Sequence, residues 1–442
     1  MFDKPVMRGA KYARRKRGKW KALITGLMLV CCVEGLATAA AGMHRTLKAN
    51  PCETLQRENK DLRKELTLQE IQKENEDLRK ELKKLPWPML KYFWANGRTY
   101  SLPLRAESRD LSHRPAQARL EYLAGFFDGD GYVGCETRLT GAALKVSQSF
   151  DQAEVLMLFR QTFGGSISRE RRGVGLGKPK LQWQAYGQSA RRAVRLLALH
   201  SITKQKQLLI AARWPKTKSL REDRKAELCA LKQYDSAVAG PCSWSYFAGF
   251  FDAEGCIRLD PRVASLQVKV SQKHPRALRS LRAFLQTTSG IDATLGNFTG
   301  YGYELWVCSL SKCKEILQHL LDAGLLCKVQ QAQLALSLTP ENAAEVRAEL
   351  ASRSGNQRFG RRLDAAGQNR ARKILSAQRQ VACLCRRGLE AEADAKQREV
   401  ARLKDEHELR KARYENQQLL EYIEYIRHLH ENSWEGPLLP GM

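Results

Sequence analysis

Two acids, two glutamines and two lysines recur in this chain in one order and at one spacing. Gln148 follows Asp130 at the distance at which Gln272 follows Glu254. Lys204 lies as far beyond Asp130 as Lys328 lies beyond Glu254, and Gln207 and Gln331 follow those lysines at a common offset. Acid, amide and ammonium groups brought together could hold a hard cation and neutralise a phosphate. Carboxylate, carbonyl and water ligation suits Mg²⁺, which takes one or two protein carboxylates and leaves other positions to phosphate and water. Two carboxylates about 5 Å apart repel by roughly 3 kcal/mol at an effective dielectric of about 20, so such a pair calls for a cation.

Each acid ends an apolar run, LEYLAGFFDGDGYVG (Leu120–Gly134) in one copy and WSYFAGFFDAEGCIR (Trp244–Arg258) in the other. Gly125 and Gly129 are one helical turn apart, as are Gly249 and Ala253, so each pair shares a helix face. Small residues there let two helix backbones approach closely. Crossed in that way, the two helices bring Asp130 and Glu254 together at their C-terminal ends. Asp128 and Asp252 read as helix-end or turn acids rather than ligands. After each run the hydrophobic period becomes two. Leu144 and Val146 alternate with Lys145 and Ser147, and Leu266, Val268 and Val270 alternate with Gln267, Lys269 and Ser271. Each half reads α-β-β-α-β-β-α. The predicted fold is α+β: a pseudo-twofold pair of such half-domains with saddle-shaped antiparallel sheets, flanked by long helical extensions.

LAGFFDGDG (Leu123–Gly131) and FAGFFDAEG (Phe247–Gly255) resemble the signature of the LAGLIDADG homing endonucleases of the monomeric, two-motif type. The resemblance spans roughly residues 116–340 and includes the Gln and Lys positions. The departures are Phe247 for the leading Leu, phenylalanines at the other apolar positions, and Glu254 for Asp; Glu remains a hard oxygen ligand. The resemblance implies hydrolysis of double-stranded DNA with two or more Mg²⁺ ions. It places metal ligands at Asp130 and Glu254 with their neighbours Gly129 and Ala253. Lys204 and Lys328 would stabilise charge on the phosphate, and Gln148 and Gln272 would position water. The alternative is a non-cutting relative, either a maturase-like factor on intron RNA or a DNA-binding regulator.

A sheet with a polar outer face can lie along a duplex groove. The candidate DNA contacts are Lys145, Ser147, Arg169, Arg171, Gln182 and Gln184 in the first half. In the second they are Arg258, Gln267, Lys269 and Ser271. Lys and Arg neutralise phosphates, whereas Arg, Gln and Lys reach base edges. The formal net charge of +28 favours a nucleic-acid partner but does not separate DNA from RNA. A membrane-tethered coiled-coil scaffold would leave the internal repeat unexplained.

The boundaries follow from composition. Residues 1–45 pair a basic stretch with the apolar run Ala22–Val33, and read first as a cleaved leader with a plastid or mitochondrial address. A membrane anchor and a nuclear signal are the alternatives. Residues 46–112 form a helical spacer and linker. RENKDLRKEL recurs there as KENEDLRKEL, but the leucine seam breaks, which disfavours a long coiled coil and leaves a solvated spacer or a short self-pairing segment. The half-domains take 113–215 and 244–345, with a linker at 216–243 that carries a charged helix. Residues 346–442 are a helical extension ending in a long helix, a candidate surface for a protein partner. The twelve cysteines have no zinc-like or paired spacing and read as free thiols.

Overall fold

The computed structural model describes residues 67–106, 114–135, 141–240, 242–259, 265–298, 302–353 and 364–431. The leader or anchor segment and the first part of the spacer lie outside the described residues. Among those that are described, no helix is long and apolar enough to cross a membrane.

Helix α1 (Leu68–Leu82) starts at a capping box, in which Thr67 caps the Glu70 amide and the Glu70 carboxylate accepts from the Thr67 amide. A hairpin follows, β1 (Tyr92–Ala95) and β2 (Arg98–Ser101), turning on Asn96 and Gly97, both at positive φ. The sequence reading took this stretch as linker. Its Asn-Gly dipeptide is the usual two-residue hairpin turn, and that signal was available.

The first half-domain runs α2 (Gln117–Asp130), β3 (Gly131–Gly134), β4 (Ala143–Ser149), α3 (Glu154–Phe163), β5 (Ser166–Arg171), β6 (Lys180–Ala185), α4 (Gly187–Ala198) and α5 (Gln205–Ala212). The linker helix is α6 (Lys218–Leu231). The second half repeats the order: α7 (Trp244–Glu254), β7 (Gly255–Leu259), β8 (Leu266–Gln272), α8 (Pro275–Ser289), β9 (Thr294–Phe298), β10 (Gly302–Val307), α9 (Leu310–Asp322) and α10 (Val329–Leu336). The sheets are antiparallel and match strand for strand, β3-β4-β6-β5 and β7-β8-β10-β9. Each half is the predicted unit plus one short helix, α5 or α10. The fold is α+β with pseudo-twofold halves.

Alternation sets which face of each sheet is buried. Leu144 and Val146 in β4, and Leu181 and Trp183 in β6, are fully buried against the helices. Phe126, Phe127, Phe159, Phe163 and Trp183 form one aromatic cluster beneath the first sheet. A fully buried Phe contributes on the order of 2–3 kcal/mol of transfer free energy, so the phenylalanines of the motif hold the core.

The extension forms α11 (Ala343–Arg353), α12 (Ala365–Arg386) and α13 (Glu390–Glu431), with Gly388 at positive φ breaking the last two apart. Leu419, Ile423, Ile426 and Leu429 of α13 are buried in the main core. Tyr422 and Tyr425 pack edge-on against Trp87, at 6.1 and 5.9 Å between ring centroids. Helix α1 lies against α13 through Asn75 Nδ2 donating to the Ala412 carbonyl at 2.9 Å and an Arg79–Glu415 ion pair. The described part of the spacer therefore packs one face on α13. Its partner is at the other end of the chain, where no local periodicity could reveal it.

Candidate active site

The two motif helices, α2 and α7, cross where their glycines meet. A Cβ on Gly125 would lie 2.0 Å from the Tyr246 carbonyl oxygen, and one on Gly249 would lie 1.9 Å from that of Tyr122. No side chain fits there, because the backbones themselves are in contact. One turn further on, a Cβ on Gly129 would meet Ala253 Cβ at 2.4 Å and Glu254 Cγ at 3.0 Å. Gly125, Gly129, Gly249 and Ala253 thus form the seam, and it ends with Asp130 and Glu254 beside one another.

Both helices stop at a glycine that turns directly into a strand. Gly131 and Gly255 have extended backbones, and their amides donate to the Phe127 and Phe251 carbonyls. The strands then return the chain to the acid. Gly131 pairs with Val146, which leaves Gln148 just beyond, and its Nε2 donates to Asp130 Oδ2 at 2.7 Å. Gly255 pairs with Val270, and Gln272 Nε2 donates to Glu254 Oε1 at 3.0 Å. The common acid-to-Gln offset is therefore the length of one β-hairpin. Gln148 and Gln272 hold the acids themselves; the resemblance had them positioning water.

Lys204 and Lys328 approach from behind. Lys204 Nζ donates to the carbonyls of Phe127, Asp128 and Gly129, each at 2.8 Å. Lys328 Nζ donates to those of Phe251, at 3.0 Å, and Asp252. These are the last-turn carbonyls of the motif helices, where the helix dipole favours a cation. The Gly129 carbonyl, a candidate metal ligand by resemblance, here accepts from Lys204.

Asp128 and Asp252 have a different task. Asp128 accepts from the amides of Ile202, Thr203 and Lys204 at 2.6, 2.9 and 2.9 Å, and from Ser201 Oγ. Asp252 accepts from the amides of Leu326, Cys327 and Lys328 at 2.7, 3.0 and 2.9 Å. Each is an anion at the N-terminus of α5 or α10, and so delivers the lysine that follows. Each also accepts a hydroxyl from the other half, Tyr246 to Asp128 at 2.7 Å and Tyr122 to Asp252 at 2.6 Å. The sequence reading missed these tyrosines. They occupy matching positions in the two motifs, and the repeat itself carried that signal.

Loss of hydration raises the pKa of Asp130 above the ordinary carboxylate range, opposed by Lys204, Lys328, Lys180 and the Gln148 hydrogen bond. Glu254 is raised by burial first and by the charge of Asp130 second, against Lys204, Gln272 and Lys328. Burial lowers Lys204 to about 8, although Asp128, Asp130 and Glu254 all favour its charged form.

On the outer face of the first sheet, Lys145 lies between Tyr132 and Gln184, and Ser147 lies opposite Gln182. Gln182 Nε2 donates to Ser147 Oγ at 3.1 Å and to Glu170 Oε1 at 3.2 Å. Arg171 is exposed opposite Lys180 on this face, past a register shift in β5. Arg169 is a correction. It pairs with the buried Leu181, so it points to the other face, and its Nη1 donates to the Leu90 carbonyl at 3.2 Å. Alternation from the buried Ile167 puts Arg169 on that inner face, and the register shift beyond it brings Arg171 outward. In the second sheet Arg258 and Gln267 are cross-strand neighbours. Lys269 is committed to Glu304, at 2.7 Å, and Ser271 donates to the same carboxylate at 3.1 Å. Glu304 was missed, since its acidic charge opposed the role sought for that face. Among the described residues, no three His, Cys, Asp or Glu side chains cluster as a metal site.

Two crossed acid-bearing helices above paired antiparallel sheets define a two-motif LAGLIDADG fold. Residues 242–320 match the model of the LAGLIDADG-like domain, so the second half-domain is similar to that family, and the first repeats its element order. Among solved structures, the chain is similar to the meganuclease I-SmaMI bound to uncleaveable DNA. That likeness has 15% identity and a TM-score of 0.38, and covers 54% of this chain and 99% of that one. It is also similar to the I-LtrWI LAGLIDADG homing endonuclease bound to target DNA, at 11% identity and a TM-score of 0.37, over 53% of this chain and 95% of that one. No curated protein sequence matches the chain.

Proposed function

We propose that this protein is an endonuclease that hydrolyses phosphodiester bonds of double-stranded DNA at a specific site, using divalent metal. The observation that carries this reading is the acid pair at the foot of the helix seam. Asp130 and Glu254 have no reason to stand together as bare charges: Asp130 is exposed and Glu254 half-buried, both lose part of their hydration, and the charge of Asp130 further raises the pKa of Glu254. Each gives one oxygen to its glutamine, and the other oxygen holds no hydrogen bond among the described residues. The negative ends of two helices converge there as well. That donor set suits a hard divalent cation such as Mg²⁺, with phosphate and water completing its shell. Asp130 and Glu254 would hold it. Bound there, the metal supplies an acidified water and a counter-charge for the leaving oxygen.

The chain's own residues do the rest. Gln148 and Gln272 fix the two carboxylates, and Lys204 and Lys328 bring positive charge to the site while tying down the helix ends. Lys145, Lys180, Arg171 and Arg258 on the outer faces supply phosphate contacts. Gln182, Gln184 and Gln267 supply groups able to read base edges.

The test is Mg²⁺-dependent cleavage of random-sequence and target plasmids. Asp130→Asn and Glu254→Gln are each expected to lower cutting at least about a hundredfold while duplex binding persists. Undiminished cleavage by both variants removes the mechanism. Binding of DNA or intron RNA without cleavage in the unsubstituted chain would make it a non-cutting relative.

A further inference from the structure

The pseudo-twofold symmetry fails beside the acids, in a cavity of about 250 Å³. Its wall on the first half is Gly131, Tyr132, Lys204 and Lys232, and its wall on the second is Gln272, Lys273 and His274. It therefore touches the lysine behind Asp130 and the glutamine that holds Glu254. Lys232 ends the linker helix α6, with Nζ 4.3 Å from the Tyr132 ring centroid and 3.1 Å from the Val133 carbonyl. Tyr132 is 51% exposed on the outer sheet face, so Lys232 stands at the edge of that face. His274 occupies the N-cap position of α8 without a side-chain capping bond, and its buried Nε2 has no hydrogen-bond partner among the described residues. The acid that lines the cavity, Asp235, is already engaged by the amides of Arg276 at 3.0 Å and Ala237 at 3.4 Å. Lys232, Lys273 and an unpartnered imidazole nitrogen thus face a space much larger than one water needs.

The positions equivalent to Lys273 and His274 across the axis carry neither group. Ser149 and Phe150 follow Gln148 where Lys273 and His274 follow Gln272. Phe150 packs on Trp87 at 5.8 Å between centroids.

We propose that this cavity takes a backbone phosphate of duplex DNA, from one strand only, through Lys232, Lys273 and His274. The proposal rests on the reading that duplex DNA lies along the two sheets. The two strands of a duplex present the same phosphates, so a phosphate site on one side of the acids makes the protein treat them unequally.

Two measurements on the full chain test this. In duplex binding titrated against salt, K232Q/K273Q is expected to reduce the slope of log K against log salt by about 0.9, one phosphate's worth. K232R/K273R should restore it, and K178Q, at a first-half lysine paired with Asp151 at 2.5 Å and not lining the cavity, should leave it unchanged. An unaltered slope for K232Q/K273Q overturns the pocket whether or not the chain cuts DNA, which separates this failure from failure of the nuclease reading. With Mg²⁺ and a duplex labelled on either strand, K232Q/K273Q is expected to slow nicking of one strand at least tenfold and spare the other. Equal slowing of both strands overturns the asymmetry.

Discussion

Asp130 and Glu254 are held in a state that disfavours their charge. Their folded-state pKa values lie above the ordinary ones, so the folded chain binds the acid protons more tightly than the unfolded chain does. Stability is then lost as pH rises from the ordinary carboxylate range through the raised pKa. It follows that D130N and E254Q each raise the Tm of the metal-free protein at pH 7, measured by thermal unfolding in chelator. Added Mg²⁺ should raise the Tm of the unsubstituted chain and not that of the variants. A lower Tm for both variants would show that the pair is not strained. Lys204 makes a second prediction. Its ammonium has three donors, and all three are used on helix-end carbonyls. Deprotonation near its pKa of about 8 removes one donor and the positive charge together. The Mg²⁺-dependent cleavage rate should fall as pH rises through about 8, and a flat pH–rate profile across that value would refute the role.

At the scale of elements, the seam between α2 and α7 sets the geometry. With Tyr246 O 2.0 Å from a Cβ on Gly125 and Tyr122 O 1.9 Å from one on Gly249, an added methyl must push two backbones apart. Gly125→Ala and Gly249→Ala are each expected to cost about 3 kcal/mol, the upper end of overpacking, in urea unfolding. A cost below about 1 kcal/mol would mean that the helices can separate freely. The tyrosine-to-aspartate bonds across the seam oppose that separation from both sides. The acids were legible in the sequence because the motif recurs in register. The cross-half tyrosines were not singled out, because a Tyr on an apolar helix face looks like core until its partner is known. Arg169 and Arg171, two apart, look like neighbours on one face, but a register shift between them puts the two on opposite faces.

For the molecule as a whole, the C-terminal extension belongs to the core. Ile423 is 1% exposed, and it lies with Leu419, Ile426 and Leu429 in the same cluster as the motif phenylalanines. Ile423→Ala should cost about 3 kcal/mol, and guanidinium unfolding should show one transition that shifts as a unit. Separate transitions for the extension and the half-domains would contradict this. The nine cysteines among the described residues are all free, so no disulfide ties these distant segments together. Packing of α13 on Trp87 and on α1 has to do so.

Local chemistry decided the half-domain: aromatic runs at helical spacing, a glycine after each acid, then alternating strands. Repetition decided the pairing, since two copies of one unit with small residues on one face have an obvious way to meet. Tertiary structure alone decided how evenly the pairing serves the site. Whether Lys269 is free or bound to Glu304, which lysines flank the acids, and that α1 rests on α13 all depend on residues far apart in the chain. Periodicity reports only the neighbours along one element, and these contacts are made between elements.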